Sequence, residues 1–137
     1  MCRVPLFDFS KDARANVHSI KKRTLKMILE ASKSQFPEEF GALLRADKGV
    51  IHELILLPGT VSGERHAIFH FNNLAIDFTI VGTVHSHPSG VCYPSRADVN
   101  LFGKYGWIHI IACSPFDRTS WAVYDNSGQP RELKVVD

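Results

Sequence analysis

The sequence lacks any apolar run that approaches the roughly 20 residues of a membrane-spanning helix. Its N-terminal stretch, MCRVPLFDFSKDARA, also lacks the apolar core of a secretory signal. These two absences argue against a membrane protein and against a secreted one. We therefore expect a cytoplasmic protein with no membrane partner.

The sequence also lacks a large excess of charge of one sign, because 16 Lys and Arg residues are nearly balanced by 14 Asp and Glu residues. The resulting net charge of +2 is too small to predict a nucleic-acid partner. The basic cluster at residues 21–26 is typical of the solvated face of a helix. With 137 residues, 45% of them hydrophobic, the chain has the size and composition of a single globular domain with a real core.

The N-terminal part of the chain has apolar residues at helical spacing. Apolar residues recur at three- and four-residue spacing from Val17 to Gln35, which predicts an amphipathic helix that ends before Pro37. The residues before it show no period, so we expect an N-terminal extension over residues 1–17 and one domain over residues 18–137.

After Pro37 the pattern changes to short apolar runs that predict strands. The turn signal DKG predicts that the first two runs form a hairpin, and NSG is the turn between the last two. SRADVNLFGKYG predicts a helix that is capped by Ser95 and ends at Gly103 or Gly106. The expected fold is a mixed α/β domain with a sheet of about six or seven strands. The strand candidates are FGALLRA, VIHELILLP, HAIFHF, FTIVGTVHSH, WIHIIACS, SWAVYD and ELKVV.

Two histidines, His85 and His87, stand at the end of the buried run FTIVGTVHSH. Residues two apart in a strand point to the same face, so both imidazoles can bind one metal ion. Pro88 ends the strand, and Asp98 lies in the first turn of the next helix, from which its carboxylate can supply a third ligand. Two histidines and one carboxylate are typical of a catalytic zinc site with an open fourth position.

Each part of this pattern also has a purely structural interpretation. Ser95-x-x-Asp98 is the sequence of a capping box, and a single histidine in a strand is more often a core or surface residue than a ligand. The combined spacing H-x-H-x7-S-x2-D is far rarer than its parts, so we favour the metal site. The other histidines show no ligand spacing, and we expect His109 to be buried and hydrogen-bonded.

The segment HSHP, followed by Ser95 and Asp98 at these spacings, resembles the JAMM (JAB1/MPN/Mov34, or MPN-plus) metallopeptidase family. That family also carries a glutamate at the end of the first helix, in a context like E-x-x-G-x-L. In PEEFGALLRA the matching residue is Glu39, with Glu38 as its nearest rival and Ala42 where the family usually has Gly. Without the resemblance, the two glutamates would be taken for exposed acids.

The resemblance implies a curled mixed sheet with flanking helices, similar to the cytidine deaminases, and Zn²⁺ as cofactor. The metal would be held by His85, His87 and Asp98, and a zinc-bound water has a pKa lowered toward about 7. Glu39 would then act as general base and pass the proton to the leaving amine. Ser95 would donate a hydrogen bond to the developing oxyanion.

Members of the family hydrolyse the isopeptide bond after the Gly-Gly tail of a ubiquitin-like modifier or sulfur carrier protein. The resemblance implies such a conjugate as partner, and residues 63–73 are the candidate strand edge for holding its tail. The short chain favours a minimal, stand-alone prokaryotic enzyme. Two alternatives remain: a non-catalytic scaffold module of the same fold, which usually lacks the ligands, and a RadC-like protein linked to DNA repair. Ser86 between the histidines favours the peptidase, because RadC-like chains usually carry Asn there.

The cysteines leave three alternatives open. Cys92 lies in the loop between His87 and Asp98, and Cys113 ends the strand WIHIIAC. Cys92 could replace Asp98 as a ligand, or both thiols could stay reduced, as is usual in the cytoplasm. A Cys92–Cys113 disulfide would instead brace the loop beside the metal. Cys2 is expected to be unpaired.

Overall fold

The computed structural model describes residues 13–56 and 77–137. The predicted strand HAIFHF, the candidate substrate edge and Cys2 lie outside the described residues. None of the helices in the described ranges is long and apolar enough to span a membrane. In chain order the elements are a 3-10 turn (Ala13–Asn16), β1 (Ser19–Lys21), α1 (Lys22–Gln35), β2 (Gly41–Asp47), β3 (Val50–Ile55), β4 (Ile80–His87), α2 (Arg96–Phe102), β5 (Ile108–Cys113), β6 (Trp121–Asp125) and β7 (Lys134–Val136).

Within the described part of the chain, seven strands form one mixed sheet in the order β6-β5-β4-β2-β3-β1-β7. The central strand β4 pairs antiparallel with β2 and parallel with β5. The last strand, β7, does not lie beside β6 but pairs parallel with β1 at the opposite edge. The predicted mixed α/β fold is therefore confirmed.

The first helix begins later than the periodicity predicted. Residues Ser19–Lys21 form β1, which runs parallel to both β3 and β7. Val17 and Ile20 are 2% and 0% exposed and belong to the core. The predicted start at Val17 was wrong, because Ile20 faces the core from a strand and Val17 faces it from the irregular residues before that strand. The helix proper is Lys22–Gln35, and its basic residues between 22 and 26 lie on the exposed face, as predicted.

The predicted hairpin at DKG is present and joins β2 to β3. Lys48 and Gly49 have φ angles of 50° and 82°, the left-handed conformation that two-residue hairpin turns require. A Cβ on Gly49 would stand 2.6 Å from the ring of His18, so glycine is needed there for space as well as for conformation. This turn fixes the register of β2 against β3 as far as the irregularity between Arg45 and Ala46.

Two apolar clusters lie on opposite faces of the sheet. The larger one includes the buried face of α1, and the smaller one consists of Leu101, Phe102, Ile111 and Tyr124. Alternate residues of a strand face opposite sides, so β5 contributes Ile110 to the first cluster and Ile111 to the second. The smaller cluster packs against the carboxyl end of β4, where the two histidines of the sequence motif lie.

Candidate metal centre

His85 and His87 present their rings side by side at the carboxyl end of β4. Strand alternation puts both side chains on one face of the sheet, and their Nε2 atoms are 3.1 Å apart. The ring of His85 is buried and packs against Phe102, with ring centroids 6.4 Å apart. Within the described residues, Nδ1 of His85 has no hydrogen-bond partner, so that side of the ring is held by packing.

Asp98 completes the group from the first turn of α2. Its Oδ1 lies 3.2 Å from Nε2 of His85, and its Oδ2 lies 3.2 Å from Nε2 of His87. Two ligands bound about 2.0 to 2.1 Å from one tetrahedral zinc ion stand about 3.3 Å apart. The three side chains therefore already have the spacing and the nitrogen and oxygen donors that fit zinc.

Ser95 and Asp98 also form the capping box that the sequence allowed. The side-chain oxygen of Ser95 accepts a hydrogen bond from the amide of Asp98 at 3.1 Å, and the amide of Ser95 donates to Oδ2 of Asp98 at 2.8 Å. The two interpretations are thus not exclusive, because the cap leaves the carboxylate facing the histidines. The hydroxyl proton of Ser95 takes no part in the cap, and the residue is exposed, so it can donate to a substrate oxygen.

The electrostatics of the group favour a cation. Burial acts to raise the pKa of Asp98, but hydrogen bonds from His85, His87 and the amide of Ser95 outweigh it and hold the pKa far below its usual range. The hydrogen bond to Asp98 in turn raises the pKa of His87, against the effect of burial. A buried carboxylate that stays charged between two imidazoles attracts a divalent ion.

Glu39 is held beside the histidines by the start of β2. Gly41 is the register partner of His85, so the residues just before Gly41 run alongside the end of β4. Ser86 fastens them there, because its side-chain oxygen accepts from the amide of Phe40 at 2.7 Å and its own amide donates to the Phe40 carbonyl at 2.9 Å. The charge of Glu39 contributes to the raised pKa of His87. Its rival, Glu38, is exposed, whereas Glu39 is partly buried.

A disulfide joins Cys92 to Cys113, with 5.3 Å between the two Cα atoms. Cys92 is therefore not available as a metal ligand. Of the three alternatives for the cysteines, the structure contains the disulfide. Beside it, Nδ1 of His87 donates to the carbonyl oxygen of Val91 at 2.9 Å. Sequence reasoning missed this contact, because a backbone carbonyl leaves no mark in the residue types.

His109 lies outside the donor group and is buried, as expected. Its Nδ1 is 2.8 Å from the hydroxyl of Thr83, and its ring stacks on Phe102 with centroids 4.3 Å apart. Burial lowers the pKa of His109 to about 3, although the carbonyls of Gly106 and Phe102 act in the opposite direction. His109 is therefore a neutral, buried residue that packs against Phe102, which in turn contacts His85.

Known proteins are similar to this chain in sequence and in fold. A family model for prokaryotic homologues of the JAB domain matches residues 21–124. A probable metalloprotease of Haloferax volcanii is 37% identical in an alignment 131 positions long that covers 88% of this chain and 81% of that protein. The crystal structure of a JAB1/MPN domain protein from Archaeoglobus fulgidus matches with a TM-score of 0.71 at 42% identity, over 88% of this chain and 97% of that one. A structure described as "JAMM: A Metalloprotease-like Zinc Site in the Proteasome and Signalosome" has the same identity of 42% and TM-score of 0.71, over 88% and 99% of the two chains.

Proposed function

This chain belongs to the prokaryotic JAB-domain family, and we propose that it is a zinc-dependent isopeptidase for ubiquitin-like conjugates. The bond it cleaves would be the amide after the Gly-Gly tail of a ubiquitin-like modifier or sulfur carrier protein. One observation supports this proposal above the others: the ligand atoms of His85, His87 and Asp98 lie within 4.8 Å of one another, with Glu39 beside them.

His85, His87 and Asp98 would hold the zinc ion. Zinc with three protein ligands and one open position lowers the pKa of a bound water to near 7 and polarises a carbonyl. A structural zinc site has four protein ligands, whereas among the described residues only three side chains converge here. The donor set therefore supports a catalytic site.

Glu39 would move the proton that amide cleavage requires. Its carboxylate accepts a proton from the attacking water and delivers it to the departing nitrogen, which is a poor leaving group unless protonated. The clamp between Phe40 and Ser86 limits the movement of this segment, so the carboxylate stays at the edge of the site.

Ser95 would stabilise the developing negative charge on the carbonyl oxygen. Its hydroxyl donates outward while its oxygen still accepts from the amide of Asp98, so one residue serves both the helix and the reaction. Removing such a donor typically lowers kcat by a factor of about a hundred or more.

The substrate class rests on the family resemblance of the HSHP motif and on the position of the site. The metal group lies at the end of a strand in an open loop region, where the exposed side chains of Val91 and Tyr93 can contact an extended peptide. A scaffold role needs none of the donors that are present. The complete set of ligands therefore favours catalysis over a module that only binds protein.

The test is cleavage of a ubiquitin-like protein joined through its Gly-Gly terminus to a lysine. We expect zinc-loaded wild type to release the modifier, a chelator to abolish the activity, and Glu39→Gln to bind zinc without turnover. Glu38→Gln is the matched control, because it makes the same change at the exposed neighbour and should remain active. A fully active Glu39→Gln would remove the general base from the mechanism. Absence of cleavage across several modifiers would favour the scaffold role.

A further inference from the structure

We propose that Tyr124, together with the Cys92–Cys113 disulfide, is a positioning residue for the metal ligand His87. It acts through the loop of residues 88–94, whose carbonyl at Val91 orients the histidine ring. The inference deepens the proposed function and rests on it, because it assumes that His87 binds the metal.

The first step is the contact between the loop and the ring. Nδ1 of His87 donates to the carbonyl oxygen of Val91 at 2.9 Å. A carbonyl can only accept, so this bond places the proton of the neutral ring on Nδ1 and leaves Nε2 to bind metal. His85 has no such partner in the described residues and is held by Phe102 instead. Only His87 therefore depends on the loop for its orientation.

The second step is what holds the Val91 carbonyl in place. Residues 88–94 form neither helix nor strand, and the side chain of Val91 is 52% exposed, so packing of that residue does not fix its backbone. The amide of Val91 makes a long contact of 3.4 Å to the side-chain oxygen of Ser89. The amide of Ser114 ties the start of the loop to the end of β5 through the carbonyls of His87 and Ser89, at 3.2 and 3.1 Å. On the other side of Val91, the next anchored residue is Cys92.

The third step is that Cys92 is anchored twice. Its side chain is bonded to Cys113, which is the register partner of His87 on the neighbouring strand β5. Its carbonyl accepts a hydrogen bond from the hydroxyl of Tyr124 at 2.8 Å. The ring of Tyr124 is only 5% exposed and lies 6.2 Å from the ring of Phe102, so the hydroxyl comes from a rigid site.

These anchors form a closed path that begins and ends at His87. The ring bonds to Val91, the loop continues to Cys92, and the disulfide returns to the strand beside the histidine. Removing the hydrogen-bond partner of a metal-bound histidine typically lowers metal affinity or activity by a factor of about 10 to 100. Loosening an anchor one residue away should have a smaller effect.

The experiment measures zinc affinity by competition with a chromophoric chelator, so it does not depend on turnover. We expect Tyr124→Phe to weaken zinc binding about threefold to tenfold, and the Cys92→Ala/Cys113→Ala double variant to weaken it about tenfold or more. Tyr124→Phe keeps the buried ring and removes only the hydroxyl. Tyr105→Phe is the matched control, because Tyr105 packs against the same small cluster as Tyr124 but lies after α2, outside the loop of residues 88–94, and its zinc affinity should equal that of wild type.

A second readout separates positioning from general destabilisation. In zinc-loaded protein labelled with ¹⁵N at histidine, the Nδ1 proton of His87 should exchange with water faster in Tyr124→Phe than in wild type, while exchange of the ring N–H proton of His109 is unchanged. Zinc affinity within twofold of wild type in both variants, with unchanged exchange, overturns the proposal. If the double variant does not fold, Tyr124→Phe decides alone. A wild type that binds no zinc would instead overturn the proposed function.

Discussion

The amide of Ser95 donates a hydrogen bond to Oδ2 of Asp98 at 2.8 Å, so the residue that caps α2 also orients the proposed metal ligand. The same carboxylate faces His85 and His87 with its two oxygens, each at 3.2 Å from a ring nitrogen. The capping box thus serves as support for the metal site, and its two residues are expected to respond differently to substitution.

Asp98→Asn should remove the charge of the group while the side-chain oxygen still accepts from the amide of Ser95. We expect zinc affinity to fall by a factor of about a hundred or more, because the ligand becomes neutral. Thermal stability of the zinc-free protein should change much less than in Asp98→Ala, which also loses the cap contact. Equal zinc affinity in wild type and Asp98→Asn would exclude the carboxylate as a ligand.

Ser95→Ala should separate the cap from the chemistry. We expect kcat to fall by a factor of about a hundred, since the oxyanion loses its donor, and the free energy of unfolding to fall by about 1 kcal/mol. Zinc affinity should stay near that of wild type, because the backbone amide of Ser95 still contacts Asp98. Ser95→Thr keeps the hydroxyl and is the control that should retain most of the activity.

Ser86→Ala should affect the position of Glu39 indirectly, through the backbone of Phe40. The amide of Phe40 would lose its acceptor in a buried position, which costs about 1 to 3 kcal/mol. We expect a fall of about tenfold in kcat with unchanged zinc affinity, because the general base is less well placed. Ser127→Ala, at an exposed serine in the turn after β6, should change neither property. Unaltered turnover in Ser86→Ala would show that the clamp has no part in placing the base.

His109 should make stability depend on acidity. Its pKa is lowered to about 3 in the folded protein, against 6.5 for an ordinary histidine, so below pH 6.5 the unfolded chain binds a proton that the folded protein excludes. Stability should therefore be complete above pH 6.5 and fall with acidification toward pH 3, by up to about 1.4 kcal/mol per pH unit. Chemical denaturation of zinc-free wild type and His109→Gln between pH 7 and 4.5 measures this, and the variant should show the smaller slope. Parallel curves would assign the acid sensitivity to other groups.

Much of the candidate site could be predicted from the sequence because its geometry is local. The spacing of His85 and His87 follows from the alternation of a strand, and the position of Asp98 follows from a helix capped three residues earlier. The motif residues also indicated the family and the suitability for zinc, and the periodic apolar runs along the chain indicated the mixed α/β fold; the comparisons confirm the family and the fold.

Other features depended on packing between distant segments. The sequence by itself determined which residues can bind a metal, because the strand and helix periods place them without reference to the rest of the chain. Only the tertiary structure decided that residues 19–21 form a strand, that β7 crosses to the far edge, and that Cys92 is bonded to Cys113. It also brought the Val91 carbonyl to His87 and the Tyr124 hydroxyl to Cys92. Such contacts join backbone groups to residues far away in sequence, and the energy that selects them comes from burying the whole core, so no short pattern encodes them.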